Sequence, residues 1–338
     1  MNLQRYSRQT IFGGIGIEGQ NKLQLSRVVV IGVGATGTVI ANNLCRAGVG
    51  FIRLVDRDYV ELSNLQRQTL YTEEDSSQQM PKAAAACEHL KIVNSEIELE
   101  PVAADVNSSN IEKLISDVDL VLDGTDNLEI RNLINEACVK HNKPWIYAGA
   151  LAGTGMSINI IPGITPCLQC LSFNAPEAGT GPTCSTAGVL NGITGIVASI
   201  ASTEALKILV GSPDVRKTLL TFDIWDNWFQ EIKISKKHDC PVCVRHKYEL
   251  LGHLSASYTT SLCGRDSVQV VPRTVGNVDF EQLAQRLKNV GTVRYNKYML
   301  QFSDGDTEFN LFPDGRAIIN KVKDENAAKS VYSEYIGF

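Results

Sequence analysis

The chain has 338 residues, about twice the usual single-domain length, so the starting expectation is one large domain with a smaller appendage, or two domains. With 43% hydrophobic and 20% charged residues, 27 Gly and 11 Pro, it can bury a core, and collagen-like, disordered and coiled-coil classes are excluded. The 32 basic and 37 acidic side chains leave a net charge of −5 without a long basic run, which argues against unspecific binding to nucleic acid or an anionic membrane but not against a local basic pocket.

Residues 1–10 are polar and carry Arg5 and Arg8, with no apolar stretch behind them of the kind a secretory signal requires, so a cytoplasmic protein is expected. The β-branched run Arg27–Ile31 reads as a strand, residues 32–37 as a glycine turn, and residues 38–47, with Val39, Ile40, Leu44 and Ala47 at helical spacing, as a helix. Gly32-Val33-Gly34-Ala35-Thr36-Gly37 matches G-x-G-x-x-G between strand and helix, where backbone N–H groups and a helix N-terminus can cradle a phosphate. A second strand, Phe51–Val55, ends at Asp56, which is placed to accept hydrogen bonds from ribose hydroxyls. These features fit NAD, FAD, S-adenosylmethionine or ATP, and a tight packing turn is the alternative. Asp58, the run Ser63-Asn64-Leu65-Gln66-Arg67-Gln68 and Pro81-Lys82 follow. A nicotinamide cofactor gives no reason for those cations, whereas a phosphate-rich ligand does.

A third strand at 118–122 ends in the polar cluster 123–127, and residues 144–148 supply another. Strands alternating with helical stretches predict an α/β fold, a mostly parallel sheet with helices on both faces and ligands beyond the carboxyl ends of its strands. Asp56, Asp58, Asp123 and Asp126 all fall at such ends. Asp126 also stands where it could cap a helix, with Asn127 and Glu129 after it.

Nine Cys, an odd number without a signal segment, point to metal or thiol chemistry rather than a disulfide framework. Cys167-Leu168-Gln169-Cys170 and Cys240-Pro241-Val242-Cys243 are two Cys-x-x-Cys knuckles that together can close a tetrahedral site, so a structural zinc is expected. His238 and His246 flank the second pair, but four thiolates leave them no place. Cys45, Cys87 and Cys138 fall within helical stretches and are expected in the core, and Cys263 has no assignment. Cys184, in a polar loop with Gly181 and Gly188, could present its thiol to an incoming protein tail or merely pack.

The uncharged stretch 178–203 holds Pro182, Asn191 and several Gly, Ser and Thr, and it reads as a loop entering a buried helix rather than a membrane span. From residue 193 onward Ile196, Val197, Ile200 and Ala201 recur at helical spacing, and 218–234 reads as antiparallel strands. After about residue 254 the composition turns polar and a new pattern begins: strand 268–271, helix Phe280–Leu287, strands 298–302 and 317–322, helix 327–335. The expected domains are therefore 1–254 and a small α+β domain at 255–338.

In order along the chain, Arg5-Tyr6-Ser7-Arg8-Gln9, the glycine turn, Asp56-x-Asp58, 63–68, Lys82, Thr125-Asp126-Asn127 and the two knuckles resemble the MoeB/ThiF/HesA family, the bacterial relatives of ubiquitin-activating enzymes, over about residues 1–250. One departure is Gly-Ala-Thr-Gly at 34–37, where Gly-Gly-Leu-Gly is common. The resemblance implies a Rossmann-like adenylyltransferase domain that uses ATP and Mg²⁺. It implies that Asp56 holds the ribose and that Asn64, Arg67 and Lys82 line the triphosphate, with Gly32, Gly34, Gly37, Asp58 and Gln68 in the same site. Asp126 would bind Mg²⁺, and Arg8 would reach the ATP of the other subunit in a homodimer. In members that load sulfur, a Cys at the position of Cys184 links covalently to the carrier.

The implied reaction is adenylylation of the C-terminal Gly-Gly carboxylate of a ubiquitin-like sulfur carrier, ThiS-like or MoaD-like, with a donor such as a cysteine desulfurase supplying sulfur for thiamin or molybdenum-cofactor biosynthesis. Cys184 and the lack of an obvious rhodanese domain lean toward the ThiF type. Two other readings stay open: an NAD-dependent oxidoreductase, and a zinc-stabilised scaffold that binds carriers without catalysis.

Overall fold

A computed structural model of the chain describes residues 4–171, 184–252, 259–261, 267–272, 278–296 and 298–337. The chain forms two compact units, Met1–Leu254 and Ser255–Phe338. Cys263 and most of the polar segment after residue 252 lie outside the described residues.

The first unit is built on eight strands: β1 (Arg27–Ile31), β2 (Phe51–Val55), β3 (Glu98–Val102), β4 (Leu120–Asp123), β5 (Trp145–Leu151), β6 (Thr154–Ile160), β7 (Leu219–Asp223) and β8 (Trp228–Ile232). Their spatial order is β3-β2-β1-β4-β5-β6-β7-β8. The parallel pairing expected from the sequence holds from β3 to β5. From β5 to β8 the strands run antiparallel, making the sheet mixed. Only Ala152 and Gly153 separate β5 from β6, too few residues for a crossover, so the chain must turn back on itself, with Ala152 at a positive φ of 52°. The chain runs outward from β1 to β2 and β3, then returns to the other side of β1 as β4, which places a topological switch point at the carboxyl ends of β1 and β4.

Ten helices are described in this unit: α1 (Ser7–Ile11), α2 (Gly16–Leu25), α3 (Ala35–Ala47), α4 (Glu73–Ser77), α5 (Lys82–Val93), α6 (Ile111–Ile115), α7 (Leu128–Lys140), α8 (Cys184–Ala187), α9 (Asn191–Val210) and α10 (Glu249–Gly252). Strand alternation sends Val29, Ile31, Val121, Trp145 and Ile158 to one face, where they pack with Leu114, Leu133, Ile134 and Ala137 of α6 and α7. Helices α3, α5 and α9 pack on the other face, so both faces are covered. Among the described residues α9 is the one helix long and apolar enough to cross a membrane by length and composition. It lies against α3, β5 and β6, and its buried residues include Ile193, Val197, Ala198 and Ala201, the pattern of a core helix. Helices α3 and α9 both stop at a left-handed glycine, Gly48 and Gly211, whose N–H groups return to carbonyls of the last turn.

The second unit is an antiparallel sheet of β9 (Thr259–Ser261), β10 (Ser267–Val270), β11 (Thr292–Tyr295), β12 (Leu300–Ser303), β13 (Glu308–Leu311) and β14 (Ala317–Asn320), ordered β11-β12-β13-β14-β10-β9. Helices α11 (Phe280–Leu287) and α12 (Glu325–Tyr335) bury Leu283, Leu287 and Tyr332 against Val268, Phe302, Phe309 and Ile319 of the sheet. The sequence pattern missed β9, β11 and β13. They are three or four residues long, and β11 carries one aliphatic residue, so alternation has too little length in which to show.

Candidate nucleotide site and cysteine cluster

Helix α3 begins at Ala35, so the second half of the glycine motif is its first turn and not a loop before it. The three glycines do different things. Gly32, at a φ of +84°, donates to the Val55 carbonyl at 2.8 Å, and a Cβ there would meet the Gly124 backbone at 2.8 Å. A Cβ on Gly37 would stand 1.9 Å from the Gly32 carbonyl oxygen. Around Gly34 the nearest such atom is Gln68 Nε2, at 3.8 Å. Packing therefore requires the first and third glycines, while the second borders open space at a helix N-terminus that no side chain caps. A Cβ at Gly34 would intrude on that cradle, which suits an anion brought close to the backbone.

Asp56 sits at the end of β2 with Oδ2 accepting from the Val33 N–H at 2.7 Å and Oδ1 from the Asp58 N–H at 2.8 Å. Burial raises its pKa above the usual carboxylate value, opposed by the nearby Lys82 ammonium and reinforced by Asp58. Each oxygen keeps a second lone pair, so the same carboxylate can still accept a hydroxyl. Lys82, the first residue of α5, is buried, with Nζ 3.2 Å from Asp58 Oδ2 and its backbone N–H on the Asp58 carbonyl at 2.9 Å. A cation at a helix N-terminus runs against the macrodipole, and Asp58 offsets it.

The segment between β2 and α5 folds over the glycine turn. Asn64 is buried and shares a reciprocal cap with Glu61. Tyr71, buried, donates its hydroxyl to the Val33 carbonyl at 2.6 Å and lies 3.2 Å from the Lys82 carbonyl. Gln68 is 4% exposed, and its Oε1 has no hydrogen-bond partner among the described residues. An orphaned buried carboxamide beside Gly34 is the kind of group a bound ligand satisfies. Arg67, partly exposed, donates to the Ser63 carbonyl at 3.2 Å.

On the other side of the turn, the fully buried Asp123 accepts from the Thr125 N–H at 2.9 Å, the Thr125 hydroxyl at 2.6 Å and Arg131 Nε at 2.8 Å. Burial raises its pKa, and Arg131 opposes that rise. The cap of α7 is Asn127, whose Oδ1 accepts from the Glu129 and Ile130 N–H groups at 2.8 and 3.3 Å. This corrects the alternative expectation that Asp126 caps the helix. Asp126 is exposed and makes no hydrogen bond or ion pair to a described residue.

The glycine turn, Asp56, Asp58, Gln68, Lys82 and the 123–127 loop are thus brought together, with Asn64 and Arg67 on the covering segment. Arg8 stands apart: it is exposed on α1 and bonds no described residue. Its neighbours in the same motif hold the fold, since the Tyr6 hydroxyl accepts from Asn94 Nδ2 at 2.8 Å and Gln9 Nε2 donates to the Ala47 carbonyl at 2.9 Å. Cys184 opens α8, but its side chain lies outside the described residues. Sequence reasoning missed Tyr71 and Arg131, neither of which belongs to a recognisable spacing.

Cys167 and Cys170 follow β6, Cys240 and Cys243 follow β8, and their four sulfurs lie within 4.8 Å of one another. The Cys167–Cys240 and Cys170–Cys243 Sγ distances are 3.6 Å. A disulfide needs about 2.05 Å, whereas tetrahedral Zn–S bonds of about 2.3 Å put sulfurs about 3.8 Å apart. The cluster could therefore hold a metal, and its donor set fits a closed zinc site. Leu168 N–H donates to Asn135 Oδ1 of α7 at 2.9 Å, which ties the cluster to the core. His238 and His246 are exposed and outside it. Cys45, Cys87 and Cys138 are buried on α3, α5 and α7, and burial pushes the first two thiols up to about 11 and about 12.

A mixed sheet whose parallel half opens with a strand that runs through a glycine turn into a helix, with an acidic residue following the second strand, defines a Rossmann-like nucleotide-binding α/β protein. Residues 6–242 match the ThiF family. The chain is 42% identical over 336 residues to the sulfur carrier protein ThiS adenylyltransferase of Bacillus subtilis, covering 98% of this chain and 99% of that one. It is 38% identical over 242 residues to the SAMP-activating enzyme E1 of Haloferax volcanii, covering 71% and 88%. The crystal structure of MccB of E. coli shares the fold, with a TM-score of 0.64 at 22% identity over 72% of this chain and 73% of that one. The chain belongs to the ThiF family and stands among its adenylyltransferases.

Proposed function

We propose that this enzyme adenylylates the C-terminal Gly-Gly carboxylate of a ubiquitin-like sulfur carrier, with ATP as the adenylyl donor and pyrophosphate as the leaving group. The observation that carries the reading is the identity to a ThiS adenylyltransferase over 98% of the chain, second unit included. The Haloferax relative covers 71% of the chain. The full-length match to a ThiS adenylyltransferase favours a ThiS-like carrier over a MoaD-like one.

The chemical problem is that a carboxylate is a weak nucleophile repelled by a polyanion. In this reading the open face of Gly34 and the uncapped N-terminus of α3 take up a phosphate, and Asp56 accepts the ribose hydroxyls. Asn64, Arg67, Gln68 and Lys82 line the triphosphate. Asp126, exposed and with the capping role taken by Asn127, would hold Mg²⁺, which would supply positive charge near the departing pyrophosphate. A charge pair at 4 Å is worth about 4 kcal/mol at an effective dielectric of 20, and about 1.4 kcal/mol of barrier is tenfold in rate. Positioned cations therefore supply several powers of ten without a general base, because the carrier carboxylate is already ionised at neutral pH. Its oxygen attacks the α-phosphorus, the bond to the bridging oxygen breaks, and pyrophosphate leaves with the electron pair.

Three further assignments belong to the same reading. Arg8, without an intramolecular role among the described residues, reaches the ATP of a second subunit in a homodimer. The Cys184 thiolate takes the acyl group of the carrier adenylate as a thioester, with AMP leaving, before a donor such as a cysteine desulfurase supplies sulfur for thiamin biosynthesis, in the cytoplasm. The four-cysteine cluster holds a structural zinc. The test is ATP–pyrophosphate exchange with ThiS-like and MoaD-like carriers. Mg²⁺-dependent exchange with the first, abolished when its last glycine is removed, is expected, and exchange with no carrier overturns the reading.

A further inference from the structure

Arg131, in the second turn of α7, has a buried guanidinium bonded to the carboxyl end of β4, to the loop that follows it and to the middle of β5. Its side chain is 12% exposed. Nε donates to Asp123 Oδ2 at 2.8 Å, and Nη2 donates to the Thr125 carbonyl and, at 3.3 Å, to the Ala148 carbonyl of β5. The guanidinium also lies 4.7 Å from the Tyr147 ring centroid. Burial opposes its charge, but Asp123, with Tyr147 and Asp126, more than offsets this and holds its pKa above the usual guanidinium value.

One cation therefore ties the end of β4, the middle of β5 and the backbone immediately before Asp126. The loop it holds is packed against the phosphate cradle, because a Cβ on Gly124 would meet the Gly32 carbonyl oxygen at 2.3 Å and Gly37 Cα at 2.8 Å. Gly124 cannot move toward the glycine turn without displacing it. A mobile carboxylate would lose much of its affinity for a cation, since the loop would have to be ordered on each binding event.

We propose that Arg131 is a positioning residue that fixes the backbone of residues 123–125 so that the Asp126 carboxylate is presented to a divalent cation. This rests on the reading of Asp126 given above. The role needs the guanidinium fork: a lysine could neutralise Asp123, but its single ammonium cannot span acceptors on β4, on the loop after it and on β5.

The test uses the full chain with a ThiS-like carrier. Mn²⁺ binding with a non-hydrolysable ATP analogue, read by EPR of the free ion, is compared for the parent, Arg131→Lys and Asp126→Ala, alongside thermal unfolding and ATP–pyrophosphate exchange. Folded Arg131→Lys is expected to bind Mn²⁺ about tenfold more weakly and to need correspondingly more Mg²⁺ for half-maximal exchange. A purely structural role would lower the unfolding midpoint and leave the metal midpoint of the folded protein where it was, and that result overturns the proposal. Parent affinity in Asp126→Ala removes the reading of Asp126 itself. Weakened binding in Asp126→Ala with parent affinity in Arg131→Lys removes only the role of Arg131. Should Arg131→Lys fail to fold, the near-isosteric Asp123→Asn is judged by the same metal midpoint.

Discussion

Gly37 faces Gly32 across the glycine turn so closely that a methyl group on its Cα would stand 1.9 Å from the Gly32 carbonyl oxygen, whereas the same methyl on Gly34 meets nothing nearer than 3.8 Å. The two glycines therefore fail differently. Gly37→Ala is expected to destabilise the fold by at least about 2 kcal/mol through overpacking. Gly34→Ala is expected to keep the parental unfolding midpoint and to bind ATP at least about tenfold more weakly, the Cβ taking space a phosphate would use. Urea unfolding and nucleotide titration of both variants check this, and equal behaviour in the two would contradict it.

Arg67 and Lys82 separate in the same way. Arg67 makes one surface bond to a carbonyl, so Arg67→Ala should change stability by no more than about 0.5 kcal/mol. Lys82 is buried against Asp58, and its removal takes away the ammonium that opposes the burial of Asp56 and leaves Asp58 with the longer pair to Arg57 at 4.0 Å, which should cost about 3 kcal/mol. Both are expected to lower ATP–pyrophosphate exchange by about a hundredfold, equivalent to about 2.7 kcal/mol of barrier.

The cysteine cluster should carry one zinc per chain by elemental analysis. Zinc binding to four thiolates is worth on the order of 10 kcal/mol, comparable with the roughly 5–15 kcal/mol net stability of a domain. Chelation in denaturant, or Cys243→Ala, should therefore unfold at least the segments that join β6 and β8 to α7, seen as a lowered melting temperature. A metal-free protein that melts like the parent would refute this.

Acid stability has a local signature at Asp117. Hydrogen bonds from Arg53 first, and Arg27 next, hold its pKa down to about 2, with contacts of 2.7 and 2.9 Å. An unfolded aspartate titrates near about 3.9. The stabilisation is therefore complete above about pH 4 and fades as pH falls toward about 2, because the unfolded chain takes up the proton first. The side chain is 45% exposed, so solvent screens the effect and it stays small. Urea midpoints of the parent and Asp117→Asn should differ constantly from neutral pH to about pH 4 and converge below it.

Tyr71 links the glycine turn to the segment above it, with its hydroxyl 2.6 Å from the Val33 carbonyl. Tyr71→Phe removes that donor and leaves a buried carbonyl, a loss of about 1–3 kcal/mol. Weaker ATP binding with an unchanged metal midpoint should accompany it, which distinguishes this anchor from Arg131.

Local chemistry settled the parts of this protein whose signal is short-range. A β-branched run, a glycine motif and an acidic residue at the next strand end are read within about 30 residues of chain. They located β1, α3, β2 and Asp56 directly. The two Cys-x-x-Cys pairs were as plain, because metal ligation restricts residue type and spacing together. Tertiary structure decided what depends on partners distant in sequence. The pairing of Asp123 with Arg131, the packing of Gly124 onto Gly37 and the anchoring of Val33 by Tyr71 join residues with no common periodicity. The antiparallel half of the sheet followed from a loop too short to cross over, and the capping of α7 went to Asn127 over its neighbour by backbone geometry. Residue type states which interactions a side chain can make, and only the folded chain, by bringing acceptors within about 3 Å, selects among them.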